Sequence, residues 1–172
     1  MEPGGTLLYF EEDEDLAALV LADTSPLRKI PYRVPQHRHD GTQWYWITSM
    51  GEVPMSVMGR HNLANAEGAR WLAQEMGVQE ADFYEAIASF QGAQRRLERL
   101  AQSPRRDVYL DFAHAPSKVA ATTAAFSESF GSRPVWGLLE LHTFSSLNPA
   151  FLPGYAGSLT GLDRALVLFD PD

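Results

Sequence analysis

The chain has 172 residues and no cysteine, and is 45% hydrophobic and 21% charged. It is long enough for one good core or two small ones and has no thiols for disulfides or thiolate metal sites. A net charge of −8 argues against nucleic acid as a general partner, and no apolar run approaches the roughly 20 residues that a membrane helix needs.

The first residues lack a basic segment followed by an apolar one, so no signal peptide is expected and the cytoplasm is the default compartment. Thr6–Phe10 reads as a strand, followed by a helix around Glu14–Leu21. Residues 1–24 carry seven acids and no Lys or Arg. Lys29–Val34, Gln43–Thr48 and Glu52–Met58 are strand-like. Trp44, Tyr45, Trp46, Ile47 and Thr48 are aromatic or β-branched types that suit a pleated surface, and Gly51 separates the last two strands as in a hairpin. The tryptophans are read as sheet packing. His37-Arg38-His39-Asp40 has a metal-like look but lies beside prolines, and is expected to be exposed loop.

A helix is expected over Asn62–Met76, ended by Gly77, and another over Glu80–Phe90 with Phe83, Ile87 and Phe90 as its apolar stripe. Gln91-Gly92 breaks it. Residues 93–106 hold five arginines against Glu98, a local basic segment suited to a small anion. For Arg99, Arg105 and Arg106 a solvated connection is the preferred reading. Ser103-Pro104 is the expected domain boundary. Beyond it, Val108–Phe112, a helix over Ser117–Phe130, Val135–Leu141, a loop or short helix over Phe151–Thr160 and Ala165–Phe169 give strand and helix in alternation. That alternation is the mark of a parallel sheet with crossover helices, so the three strands are expected in one sheet.

Three places carry candidate chemistry. In Gly59-Arg60-His61-Asn62-Leu63-Ala64-Asn65, the two asparagines share a helix face near a positive helix terminus. Their carboxamides each donate and accept, which suits a purine edge or a ribose hydroxyl; a helix cap at Asn62 and a solvated Asn65 are the plainer alternative. In Phe90-Gln91-Gly92-Ala93-Gln94-Arg95-Arg96-Leu97-Glu98, an arginine after a tight turn can reach a phosphate or carboxylate. The third place is where ligands of open α/β sheets bind, beyond the carboxyl ends of the strands. There stand Asp111 and His114, and Glu140 and His142. These four could also bind a divalent metal or shuttle protons. No G-x-S-x-G nucleophile elbow is present.

In this order and spacing, the His61-Asn62-x-x-Asn65 helix, the Phe90-x-Gly92-x-x-x-Arg96-Leu97-Glu98 run, Asp111-Phe112-Ala113-His114-x-Pro116 and Leu141-His142-Thr143-Phe144-Ser145-Ser146 resemble the Mur ligase family over essentially the whole chain. The last two segments look most like its murein peptide ligase branch, which joins L-alanyl-γ-D-glutamyl-meso-diaminopimelate to UDP-N-acetylmuramate. The resemblance implies an α/β chain: the end of a central ATPase-type α/β domain over residues 1–103, then a partial Rossmann-like parallel α/β domain over residues 104–172.

It also implies a part of an ATP-dependent amide-bond-forming ligase using ATP and Mg2+, acting on UDP-N-acetylmuramate and an amino acid or short peptide. The rest of the ligase chain would be its partner, and no nucleic acid, membrane or protein-held metal is implied. By residue, it places His61, Asn62 and Asn65 near the adenine and ribose, and Arg96 on the ATP phosphates. Asp111 would hold the nucleotide at the start of the C-terminal domain. Asp111 and His114 become the catalytic candidates, with His114, His142 and Ser145 facing the incoming amine. Other branches carry arginines after the second His, where Thr143 and Ser146 stand here. No G-x-x-G-K-[ST] phosphate loop occurs in the 172 residues, and Lys29 and Lys118 are the only lysines. A fragment is therefore expected, inactive alone. A non-catalytic nucleotide-binding or interaction module and a metal-dependent hydrolase are the rival readings.

Overall fold

The computed structural model describes residues 4–143 and 146–170. They form a mixed α/β structure with parallel strand pairs, divided into two compact units. One unit comprises Met1–Arg38, Tyr45–Met55 and Arg60–Phe90; the other comprises His39–Trp44, Ser56–Gly59 and Gln91–Asp172.

In the first unit, β1 (Thr6–Phe10) and β2 (Arg28–Tyr32) pair in parallel, Thr6 opposite Arg28 and Phe10 opposite Tyr32. The crossover between them contains α1 (Glu14–Ala22). Asp13 caps this helix by accepting the Leu16 N–H at 2.9 Å, and Glu14 and Asp15 fill its first turn, where the dipole favours negative charge.

Three further strands form a separate sheet in the order β3 (His37–His39), β4 (Trp44–Thr48), β5 (Gly51–Met55). The loop expected at His37-Arg38-His39-Asp40 is thus corrected to a strand and its turn. Asp40 closes that turn by accepting from the Thr42 N–H, the Thr42 hydroxyl and the Gln43 N–H at 2.8–3.0 Å, a side chain standing in for backbone. Proline-rich flanks hid a three-residue strand that ends on this Asx turn.

Helix α2 (Arg60–Glu75) ends as expected at Gly77, whose φ of +90° favours glycine. It lies close to β2: a Cβ on Gly68 would sit 3.0 Å from the Tyr32 ring. In α3 (Glu80–Ser89) the expected stripe is corrected. Tyr84 is the buried residue, whereas Phe90 is the C-cap and 47% exposed. Tyr84 and Phe83 meet Trp46 edge-on, at ring distances of 5.4 and 6.4 Å. Trp46, Met55 and Leu63 are almost fully buried in this unit.

In the second unit, β6 (Glu98–Gln102) pairs antiparallel with β7 (Asp107–Leu110). Ser103 turns the hairpin: its N–H donates to the Arg106 carbonyl at 2.8 Å and its hydroxyl accepts the Arg106 N–H at 3.0 Å. The expected boundary at Ser103-Pro104 therefore falls inside this unit, in a tight turn, and the unit's long segment opens at Gln91. Then follow α4 (Pro116–Phe130), β8 (Trp136–Leu141), a 3-10 turn (Leu152–Tyr155) and β9 (Arg164–Phe169). β8 and β9 pair in parallel, Trp136 opposite Arg164. The single sheet expected for β7, β8 and β9 is corrected to two strand pairs, because β7 takes its hairpin neighbour β6 as partner.

Tyr109 of β7 meets Phe126 and Phe130, and Val119 packs with Leu139 and Leu141 of β8. Trp44 donates its indole N–H to the Ser129 hydroxyl at 2.9 Å, within this unit. Among the described residues, no helix is long and apolar enough to cross a membrane.

Candidate functional site

The first unit presents the opening turns of α2. Gly59, at φ +90°, precedes the helix, which starts at Arg60. Asn62 therefore stands inside the first turn rather than at the residue that opens it. Asn65 follows on the same face, exposed, while His61 and Asn62 are half-buried. The alternating burial of Leu63, Ala64 and Ala66 turns one side of the helix into the core and leaves the carboxamide of Asn65 outside.

The second unit presents a compact turn over residues 92–98 stitched to the end of β7. Gly92 has φ +94°, with Val57 Cγ1 3.3 Å from where a Cβ would stand. Arg95 and Leu97 are both left-handed, at φ +55° and +51°. Non-glycine residues rarely adopt this conformation, and two in three positions mark a backbone held by its surroundings. The hydrogen bonds that hold it are visible. The Arg95 N–H donates to Glu98 Oε2 at 2.8 Å, and the Arg95 carbonyl accepts the Phe112 N–H at 2.8 Å. The Leu97 N–H donates to Asp111 Oδ1 at 3.1 Å, and the Thr122 hydroxyl donates to Asp111 Oδ2 at 2.5 Å.

Asp111 thus ties turn, strand end and α4 together with both of its oxygens. Leu97 is buried by this closure, while Arg96 between the two left-handed residues is exposed. Among the described residues its guanidinium has no hydrogen-bond or ion-pair partner.

His114 follows in the loop before α4. Its Nδ1 lies 3.0 Å from the Phe112 carbonyl and its ring is 4.9 Å from that of Phe112. The Tyr155 hydroxyl donates to the His114 carbonyl. His142 stands at the end of β8, 52% exposed at its side chain, with Nδ1 3.9 Å from Glu140 Oε2. Ser145 lies outside the described residues. Ser146 is 1% exposed and locked against Thr143: its hydroxyl donates to the Thr143 carbonyl at 2.9 Å and accepts the Thr143 N–H at 2.9 Å. It shapes the turn and is not open to a ligand.

Among the described residues, no group of three or more His, Asp or Glu side chains could hold a metal ion. The metal reading of Asp111, His114, Glu140 and His142 is therefore corrected: Asp111 spends both oxygens on Leu97 and Thr122, and His142 faces Glu140. Sequence reading missed Thr122 and Tyr155, whose spacing from Asp111 and His114 matches no local motif. It also missed the left-handed pair, since only Gly92 advertised a tight turn.

No family model matches the chain. It is 37% identical over 134 residues to a UDP-N-acetylmuramate–L-alanine ligase from an Arthrobacter species, covering 76% of this chain and 28% of that one. A bifunctional MurC/Ddl enzyme from Chlamydia caviae is 33% identical over 118 residues, covering 64% of this chain and 14% of that one. The chain therefore spans about a quarter or less of the length of these relatives. The fold is that of a solved UDP-N-acetylmuramate–alanine ligase from Thermotoga maritima, with a TM-score of 0.71 and 20% identity over 94% of this chain and 37% of that one. A murein peptide ligase from Psychrobacter arcticus superposes with a TM-score of 0.63 and 21% identity, over 97% of this chain and 38% of that one.

Proposed function

Because this chain belongs to the Mur ligase family, we propose that it is part of an ATP-dependent ligase that forms an amide bond on UDP-N-acetylmuramate. The observation that carries the reading is the exposed Arg96 held between two left-handed residues by Asp111. A strained, over-determined backbone that presents an unpartnered guanidinium is suited to a preorganised phosphate contact. Asn62 and Asn65 fit the nucleotide as the carboxamides for base or ribose, with His61 beside them.

The assignment of residues 1–103 to the end of the central domain, and of residues 104–172 to the start of the C-terminal domain, belongs to the same proposal. The resemblance supplies the chemistry. The muramoyl carboxylate is converted to an acyl phosphate at the expense of ATP, and the amine of an amino acid or short peptide then displaces phosphate, with Mg2+ offsetting phosphoryl charge. Asp111 acts by fixing the Arg96 turn. His114 and His142, with Ser145, face the incoming amine. No side chain of this chain is assigned to Mg2+. A cytoplasmic setting goes with the reading.

Steady-state kinetics of a ligase polypeptide containing these residues tests it. Arg96→Ala lowers kcat tenfold or more, Asn65→Ala raises the KM for ATP about two- to tenfold, and His142→Ala raises the KM for the amine alone. An Arg96→Ala enzyme with unchanged kcat and ATP KM would falsify the phosphate role. Comparing L-alanine with L-alanyl-γ-D-glutamyl-meso-diaminopimelate as the amine decides between the branch the relatives are named for and the murein peptide branch. The missing G-x-x-G-K-[ST] loop favours a second reading, a non-catalytic nucleotide-binding module, for the 172 residues alone. Calorimetry then finds no micromolar ATP affinity and no ATP-dependent product forms.

A further inference from the structure

His114 stands between two fixed points. On one side, Asp111 is held by the Leu97 N–H and the Thr122 hydroxyl, and the Phe112 N–H donates to the Arg95 carbonyl at 2.8 Å. On the other, Pro116 opens α4, and Ala115 is extended at φ −98° and ψ 148°, as a residue before proline prefers. Ala115 gives the helix no side-chain cap. These neighbours leave the His114 peptide itself unfixed. Among the described residues no backbone N–H donates to its carbonyl. The donor is the Tyr155 hydroxyl, 41 residues further on.

Tyr155 is itself held in place. It ends the 3-10 turn (Leu152–Tyr155) and packs against Val119, Leu139 and Leu141. The turn lies directly on the start of α4: a Cβ on Gly154 would stand 3.1 Å from Pro116 Cγ. The same segment is fastened again further along that helix, where the Ser127 hydroxyl donates to the Gly161 carbonyl at 3.0 Å. Gly161 has φ +105°, and a Cβ there would meet Ser127 Oγ at 2.6 Å. A tyrosine fastened this way loses little further freedom when its hydroxyl binds.

The His114 imidazole depends on the peptide that Tyr155 holds. Its Nδ1 is 3.0 Å from the Phe112 carbonyl. A carbonyl only accepts, so the neutral ring keeps its proton on Nδ1 and leaves Nε2 as an acceptor. We propose that Tyr155 is a positioning residue. By fixing the His114 peptide, it keeps the ring in this tautomer and leaves Nε2 to accept from the incoming amine. This role rests on the reading that His114 faces that amine. It also ties the amine side to the turn that follows β8, whereas Asp111 has its own bonds to Leu97 and Thr122. Loss of the Tyr155 hydroxyl therefore acts on the amine and spares the nucleotide.

The test uses a ligase polypeptide containing these residues, with Tyr155→Phe, His114→Ala and the double variant. Phenylalanine keeps the ring in its place and removes only the hydroxyl. Tyr155→Phe raises the KM for the amine about three- to tenfold, as the loss of one hydrogen bond allows, and leaves the KM for ATP unchanged. In the double variant the amine KM is no higher than in His114→Ala. At alkaline pH, where imidazole is neutral, the ring-nitrogen NMR signals of His114 move from the Nδ1–H form toward Nε2–H, the form that a free histidine prefers. An unchanged amine KM in Tyr155→Phe overturns the proposal, and a lower kcat in that case makes Tyr155 merely structural. Equal rises in both KM values overturn it too, as does a Tyr155→Phe effect that multiplies onto that of His114→Ala. So do ring signals that stay in the Nδ1–H form. Failure of the amine reading looks different. His114→Ala then leaves the amine KM unchanged while the ring signals still shift in Tyr155→Phe, and the role of Tyr155 falls through its premise.

Discussion

The two units bury their hydrophobic residues in different ways. In the first, Trp46, Met55 and Leu63 are at most 2% exposed, and a charged cluster closes the helix pair beside them. In the second, all six residues of β9 are exposed, and Trp136 and Leu138 of β8 are 68% and 67% exposed. The apolar content of β9, in the run Arg164-Ala-Leu-Val-Leu-Phe169, is that of a strand meant to be covered, yet among the described residues nothing within its unit covers it. Stability in this chain is therefore concentrated away from β9. The residues proposed for recognition divide otherwise: the asparagines sit on a helix whose other side is in a core, while Arg96 and Asp111 sit in a turn held by hydrogen bonds.

The largest expected effect sharpens this contrast directly. Trp46→Ala removes a buried ring packed edge-on against Tyr84 and costs about 3–5 kcal/mol. Leu168→Ala, at a position 55% exposed, costs no more than about 0.5 kcal/mol. Urea unfolding of the two variants checks the pair. A Leu168→Ala cost near that of Trp46→Ala would mean that β9 is covered after all.

A second comparison concerns how charge is used. Arg70 on α2 makes two hydrogen bonds to Glu67, at 2.8 and 2.6 Å, and reaches Gln74 at 2.9 Å and Glu80 at 3.3 Å. Its side chain and that of Glu67 are 11% and 13% exposed. The second unit's Arg133–Asp107 pair is more open on the arginine side, at 44%. Arg70→Ala leaves Glu67 poorly solvated and unpaired and costs about 2–3 kcal/mol, the outer Glu80 end being wet enough to soften the loss. Arg70→Met recovers part of it by filling the same space. Equal loss in both variants, measured by urea midpoint, would show that packing plays no part in the recovery.

Much of this was legible in the sequence. The strand, helix and strand at β1, α1 and β2 follow from residue type and order, and the stop of α2 from Gly77. The family-like order of motifs led to Asn65, Arg96 and Asp111. What stayed hidden depends on pairing over distance. Nothing local says that Val108–Leu110 turns to Glu98–Gln102 rather than to the next strand. Nothing local says that Thr122 will hold Asp111, or that Arg95 and Leu97 will turn left-handed around Arg96. Tyr84 lies off the Phe83, Ile87, Phe90 stripe, yet it is the buried residue of α3, its hydroxyl satisfied by Glu80 at 2.7 Å.

That hydroxyl gives the smallest expected effect and a spectroscopic way to read the two units separately. In both Tyr84 and Tyr109, burial raises the phenol pKa above its ordinary value, because a phenolate is poorly solvated there. For Tyr84, the hydrogen bond to Glu80 raises it further and Arg70 opposes. For Tyr109, the nearby Arg99 charge opposes. A free tyrosine titrates near 10. Since the folded values lie higher, each ring contributes stability that is fully present below pH about 10 and is lost as pH rises toward its folded value. Alkaline titration at 295 nm, with Tyr84→Phe and Tyr109→Phe to assign the signals, shows both of these rings ionising later than a free tyrosine. Tyr84 is the later of the two: burial raises both, and in Tyr84 the hydrogen bond to the Glu80 carboxylate adds to it. Arg70→Ala removes the one cation that favours the Tyr84 phenolate and moves that ring later still, leaving Tyr109 where it was. If Tyr84 ionised near the free value, the closed core of the first unit would not exist as described, and the contrast with the open β8–β9 pair would fall with it.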